Sequence, residues 1–213
     1  MSQEPITSRP ALEDEDRARA DLYALLARLY YREPDAGLLA LIAQSGAGTA
    51  QHTAPPFALA WRALAAAASS ADPAAAHQEY DDIFVGTGRA EVSLYATYYL
   101  AETGREAILV ELRTELAAMG LSRRETSREP EDHIAALFDV MRHLIERDAA
   151  DAALQDQRRF FDRFIERSYQ PFCTAVQQSG RAEFYARVAA LTRAFLDVER
   201  EAMMLFQIES RPR

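Results

Sequence analysis

Two stretches of the chain hold residue types and spacings that can do chemistry. The first is Tyr80-Asp81-Asp82-Ile83-Phe84-Val85-Gly86-Thr87-Gly88, followed by Tyr95-Ala96-Thr97-Tyr98-Tyr99-Leu100. Gly86 and Gly88 allow backbone conformations closed to other residues, so the chain can turn sharply beneath an aromatic cluster. The plainer reading is a turn followed by core aromatics, and composition alone favours it. The second stretch is Glu129-Pro130-Glu131-Asp132-His133-Ile134, three acids and a histidine where a helix begins. Acids there suit the positive end of a helix dipole, so capping accounts for them. Capping accounts less well for His133. With Leu137 and Met141 it recurs every fourth residue and so lies on or beside a buried stripe.

Neither stretch points to catalysis. Ferritin-like metal sites need Glu-x-x-His motifs on facing helices, and zincins need His-Glu-x-x-His; the chain has neither. His143 lies nearly three helical turns beyond His133, so the two cannot share one metal. His52 and His77 fall in loop-like or exposed contexts. Cys173 is the only cysteine, which rules out an intrachain disulfide and leaves no thiol-ligated zinc site to expect. It reads as a small buried hydrophobe. All 24 basic residues are arginines, so the lysine of a Walker A phosphate loop is missing. No metal, no cofactor and no enzymatic activity are expected.

The elements that must position these residues are helices. The chain has 213 residues, 49% of them apolar, enough for one large core or two sub-bundles sharing one. Abundant Ala, with Leu, Glu, Arg and Gln, favours helix. A first helix is expected from near Pro10 to Glu33-Pro34, and a second after Asp35, stopping at Gly46. A third runs from Pro55, and a fourth, capped by Asp72 with Pro73 in its first turn, reaches Phe84. Residues 85–94 read as a loop, Tyr95 to Glu102 as a short helix, and Glu106 to Met119 as a helix closed by Gly120. A polar, aperiodic hinge near 121–129 separates an N-terminal sub-bundle (about 10–120) from a C-terminal one (about 129–208) within a single domain, 1–213. The clearest amphipathic helix follows, with apolar residues at Ile134, Leu137, Phe138, Met141, Leu144 and Ile145. Further helices run through Phe160 to Ile165, after Pro171, and from Phe184 to Ala202. The fold class is all-α, with about ten helices.

The net charge of −9 disfavours a nucleic-acid partner. Residues 1–17 are acidic and lack an apolar run, so neither a signal nor a transit peptide is read there. No stretch suits a membrane span, and a cytoplasmic protein is expected.

Together the two stretches resemble the signature of the TorD/DmsD/NarJ family of redox-enzyme maturation chaperones. That family shows Tyr-x-x-Leu-Phe-x-Gly-x-Gly, then an aromatic and Ser-Val-Tyr-Leu segment, then Glu-x-x-Asp-His-(Ile/Leu). The matches are Tyr80, Ile83, Phe84, Gly86 and Gly88; Tyr95, Thr97, Tyr99 and Leu100; and Glu129, Asp132, His133 and Ile134. The C-terminal part is similar too, at Gln157 to Phe161, Tyr169-Gln170-Pro171-Phe172 and Phe184-Tyr185 through Glu199. Departures are Ile83 for the usual Leu, Thr87 where others have Pro, and Ser93-Leu94-Tyr95 in place of prolines and Trp. The Gly-Thr-Gly and Leu-Tyr-x-x-Tyr-Tyr-Leu variant is most similar to members serving formate dehydrogenase.

The resemblance implies a partner: the precursor of a molybdenum-cofactor oxidoreductase, bound through its twin-arginine signal peptide, its apo form or both, by a monomer or a homodimer. The site residues it implies are Tyr80, Phe84, Gly86, Gly88, Tyr95, Tyr99, Glu129, Asp132 and His133. The physics agrees, because a peptide with a cationic start and an apolar middle needs an apolar groove beside negative charge. Glu129, Glu131 and Asp132 could face its arginines. Two rivals differ in class. A TetR-like regulator would need a basic helix-turn-helix at the N-terminus, which here is acidic. A helical-bundle enzyme would need a metal or an activated nucleophile.

Overall fold

The apolar stripe read after Pro130 becomes the buried face of one helix, which packs chiefly on the first helix of the chain. A computed structural model of the chain describes residues 14–46, 54–86, 88–123, 129–147 and 151–209. The helices are α1 (Asp14–Tyr31), α2 (Ala36–Ser45), α3 (Pro56–Ser70), α4 (Pro73–Tyr80), α5 (Thr97–Leu100), α6 (Arg105–Ala118), α7 (Ile134–Arg147), α8 (Asp151–Phe160), α9 (Glu166–Gln178) and α10 (Phe184–Glu209). A π-helical turn, Asp81–Val85, extends α4, and another, Phe161–Ile165, joins α8 to α9 without a break. Among the described residues there is no strand, and the only extended pairing sets Tyr95 opposite His133. The fold is all-α.

α7 lies along α1, α10 along α3 and α9, and α2 against α3. Tyr23, Tyr30, Phe138, Phe172, Tyr185 and Phe195 belong to one continuous core, with Tyr30 edge-on to Phe172 at 5.0 Å and Tyr23 edge-on to Phe195 at 4.9 Å. Helices before and after residues 121–129 contribute to it alike. Pro10 and residues 124–128 of the expected hinge lie outside the described residues.

Local signals place the helix ends. Asp35 accepts from Leu38 N–H at 2.8 Å, and Asp72 accepts from Ala75 N–H at 3.2 Å. Gly120 follows α6 with φ +73°, the left-handed position that glycine takes without strain. Two expectations need correction. The helix expected over Tyr95–Glu102 shrinks to Thr97–Leu100, because the backbone around Tyr95 is bonded to the start of α7 instead. No break occurs at Pro171, which stands inside α9. Proline forfeits one helical hydrogen bond, and the burial of Phe172, Cys173 and Val176 beside it outweighs that loss.

Long-range polar contacts close the bundle. The last carbonyls of α1 need partners. Tyr185 Oη donates to Leu29 O at 3.1 Å and Tyr80 Oη to Tyr30 O at 3.1 Å. Arg28 reaches the carbonyls of Arg32 and Glu33 at 3.2 and 3.1 Å. Glu79 of α4 caps the start of α10, accepting from the backbone N–H groups of Glu183, Phe184 and Tyr185 at 3.0, 3.1 and 2.7 Å. Arg19 of α1 grips both oxygens of the buried Glu199 of α10 at 2.8 and 3.0 Å, and also reaches Asp16 at 2.8 Å and Gln157 at 3.1 Å. Tyr23 Oη donates to the same carboxylate at 3.0 Å.

These contacts differ in expected worth. Glu199→Ala takes from Arg19 its bidentate partner and leaves it only Asp16 and Gln157, at a cost of about 1.5–3 kcal/mol. Glu79→Ala removes a cap and costs about 1 kcal/mol. Urea unfolding of the two variants checks that order.

Candidate functional site

The two stretches singled out in the sequence meet in space. Ala96 N–H donates to Asp132 O and Ile134 N–H donates to Leu94 O, both at 2.8 Å. Thr97 Oγ1 adds a buried bond to Asp132 Oδ2 at 2.6 Å. The loop after α4 is thereby stitched to the start of α7.

His133 is the residue that caps α7. Its carbonyl accepts from Leu137 N–H at 3.1 Å and its Nδ1 from Ala135 N–H at 3.2 Å. Since Nδ1 accepts, the neutral ring carries its proton on Nε2. Burial pushes the His133 pKa below the usual histidine range, against the pull of Glu129 and Asp132. The ring sits edge-on between Tyr31, at 6.2 Å, and Tyr95, at 5.6 Å.

The acids have other duties than capping. Asp132 is buried and turned inward to Thr97. Glu129 accepts from Tyr95 Oη at 2.8 Å. Glu131 accepts from Arg113 Nε at 3.1 Å, with Arg123 Nε at 3.8 Å from its other oxygen. Burial pushes the Glu131 pKa up, but the Arg113 bond and the charges of both arginines outweigh it and hold the carboxyl below its usual range.

The first stretch divides between core and surface. Phe84 is 6% exposed and packs on Tyr30, Tyr80 and Tyr185, with ring centres 6.1, 5.3 and 5.1 Å away. Tyr80 is buried, its hydroxyl spent on Tyr30 O. Tyr99 is half-buried, its hydroxyl on Ser93 O at 2.8 Å and its ring 5.8 Å from that of Phe172. Gly86 has φ +64°, and a Cβ there would stand 2.2 Å from Arg89 O, so the turn admits only glycine. Gly88 has φ +105° but faces open space; Thr87 lies outside the described residues. Tyr95 stands 38% exposed. Of the aromatics expected to line a groove, only Tyr95 and the edge of Tyr99 reach the surface.

A groove of about 760 Å³ opens beside this junction, between α1, the end of α6 and the start of α7. Tyr31, Arg28, Leu116, Arg123, His133 and His143 are among its walls, with Glu129 and Glu131. Sequence reasoning missed Tyr31, which is 52% exposed. It directly follows the buried Tyr30, so a helix must turn it off the core face, and an aromatic there is a usable signal. Glu33 and Asp81 were missed as well. With Glu129 they add negative potential around the Tyr80 hydroxyl, whose pKa burial and these charges raise well above the usual tyrosine range. Among the described residues no group of three or more His, Cys, Asp or Glu is arranged to hold a metal. Cys173 is fully buried, and burial pushes its thiol pKa up to about 12.

The family model described as nitrate reductase delta subunit matches residues 50–174, a span holding both stretches and the junction between them. The chain belongs to this family. Its members are the NarJ/TorD-like chaperones of redox-enzyme maturation. The fold is also that of a proposed redox enzyme maturation protein from Archaeoglobus fulgidus, known from its crystal structure. That protein is 19% identical, with 92% of this chain and 99% of that one covered and a TM-score of 0.55. No curated protein matches the chain. Membership agrees with the resemblance read from the motifs, and the junction explains why the family pattern keeps them paired: each supplies the backbone partners of the other.

His133 also sets a pH dependence. Its folded pKa is lowered, so its contribution to stability is full above the unfolded histidine value and is lost as pH falls below it, when the unfolded chain takes up the proton first. Wild type should therefore lose more thermal stability between pH 7 and pH 5 than His133→Asn, which keeps a capping oxygen but cannot titrate. Thermal melts of both proteins at the two pH values read the difference.

Proposed function

We propose that this protein is a cytoplasmic chaperone that binds the twin-arginine signal peptide of a molybdoenzyme precursor, of the formate dehydrogenase or DMSO-reductase type, and holds it while the cofactor is inserted. The single observation that carries the reading is the junction. Two sequence-distant stretches that match the family pattern are joined by backbone bonds beside one groove, which Tyr31, Glu129 and Glu131 line and which Tyr95 adjoins through His133. Tyr31 and Tyr95 offer apolar faces, with Glu129 bonded to the Tyr95 hydroxyl. An apolar peptide segment can lie on the rings while an arginine competes for the carboxylate.

The other residues of the pattern serve this surface from behind. Phe84 and Tyr80 are buried in the core, Gly86 turns the chain, and Asp132 with Thr97 locks the junction. The protein acts by holding, through one domain, and performs no bond chemistry on its client.

Tyr95→Ala should weaken a paired-arginine signal peptide by about 1–3 kcal/mol in calorimetry while leaving the melting temperature near wild type. Phe84→Ala should instead lower stability by about 3–5 kcal/mol, because it opens a core cavity. Wild type should prefer the paired-arginine peptide to a paired-glutamine control, and added salt should narrow the gap. Equal binding of the two peptides would overturn the reading.

A further inference from the structure

The helices that wall the groove are fastened differently. α7 buries seven of its fourteen side chains, and α1 meets it through the rings of Tyr23 and Tyr30 on Phe138. α6 is the same length but buries only Leu112 and Leu116. The ties that reach it from α8 and the π-helical turn after α8 are ionic. Glu115 accepts from Arg159 Nε at 2.5 Å and from Arg163 Nη1 at 2.7 Å, and Glu111 pairs with Arg163 as well. Arg113 Nη2 stands 3.0 Å from Glu131, just before α7. The side chains of Arg159, Arg163 and Arg113 are 47%, 37% and 52% exposed, so water can solvate each one once its pair parts. A helix held by two buried leucines and hydrated ion pairs opens locally at a free energy well below that of global unfolding. Its ends allow it to move as one piece. Gly104 before it and Gly120 after it stand at φ +72° and +73°, and neither has an atom within 4 Å of where a Cβ would be.

We infer that α6 is a hinged wall of the groove, pivoting on Gly104 and Gly120, and that its outward swing admits the client's apolar segment. The inference rests on the proposed function and adds to it the way the client enters and leaves. Closed, α6 presents Leu116 to the groove, with Leu121 just past the second pivot. Opened, it widens the valley between α1 and α7 that Ala24, Ala27, Ala136 and Val140 line. Glu115 with Arg159 and Arg163 is the latch. A wall that closes over its ligand gates entry and exit alike, so the strength of the latch sets both rates and leaves the affinity nearly unchanged. Ion pairs that merely stabilised the fold would lower the melting temperature and move neither rate.

Hydrogen exchange and stopped-flow binding of synthetic paired-arginine and paired-glutamine peptides test this on the full chain. Glu115→Gln weakens the latch without changing side-chain volume. Glu111→Gln, at a more exposed site, loosens only the second tie to Arg163 and is the milder variant. Glu106→Gln, in the first turn of α6, makes the same change of charge and leaves the latch in place. In free wild type the α6 amides should exchange about tenfold faster than those of α7, or more. Glu115→Gln should speed them a further threefold to tenfold, roughly what two such pairs are worth, with α7 unchanged. Association and dissociation of the paired-arginine peptide should rise by about that same factor, with Kd within about twofold of wild type. Glu111→Gln should show a smaller rise in both rates, and Glu106→Gln none. The inference is overturned alone if wild type discriminates between the peptides yet its α6 exchanges no faster than α7, or if neither latch variant raises the two rates together. If wild type itself does not discriminate, the proposed function fails and takes the inference with it.

Discussion

A loop that runs into the interior of a helical bundle has to satisfy its backbone polar groups, and here one short antiparallel contact does so. Leu94 and Ala96 are buried, and their carbonyl and N–H are matched by Ile134 N–H and Asp132 O at the start of α7. The same contact resolves α7's own difficulty, since the first N–H groups of a helix lack partners within it. The geometry of the site follows. With residues 94–96 and 132–134 paired, Asp132 faces Thr97, His133 caps the helix, and Tyr95 projects outward onto Glu129. Losing the contact would release both stretches at once.

The charges of the protein divide by depth. Arg19 and Glu199 are sunk between α1 and α10 and satisfy each other, with Asp16, Gln157 and Tyr23 filling the remaining valences. Such a pair specifies how α1 and α10 meet more than it adds net stability. At the rim of the groove the pairs of Arg113 and Arg123 with Glu131 involve more exposed arginines, and exposed pairs add little net stability. The π-helical turn Asp81–Val85 belongs to the same economy of placement. One extra residue in the turn lets Ile83 and Phe84 both face the core while Asp81 stays at the surface near His77.

Much of this was legible in the residues. The fold class came from periodicity, because burial on one helical face forces apolar side chains into the spacing seen in α7. Asp35, Asp72 and Gly120 announced their helix ends through local chemistry alone. The family resemblance named the two motifs together, but that they pair in space was not legible, since no local rule links residues 95 and 133. What stayed hidden depended on direction or distance. The chain carries an acid at 129, 131 and 132, but which one points inward is decided by Thr97 and which one meets arginine by Arg113, both far away in sequence. Phe84 and Tyr95 look equally suited to a groove, yet the core claims one and leaves the other outside. The helix run through Pro171 was unreadable for a related reason: a local penalty is outweighed by burial that only the tertiary fold supplies.

The cap on α10 has a consequence for how the protein is made. Glu79 leaves the ribosome about a hundred residues before the N–H groups of Glu183, Phe184 and Tyr185 that it will accept. The final helix is thus born into a waiting receptor, with α4 and the carbonyl end of α1 already synthesised. The longest of the described helices is also the last to be synthesised, and its N-terminal cap comes from a helix made long before it.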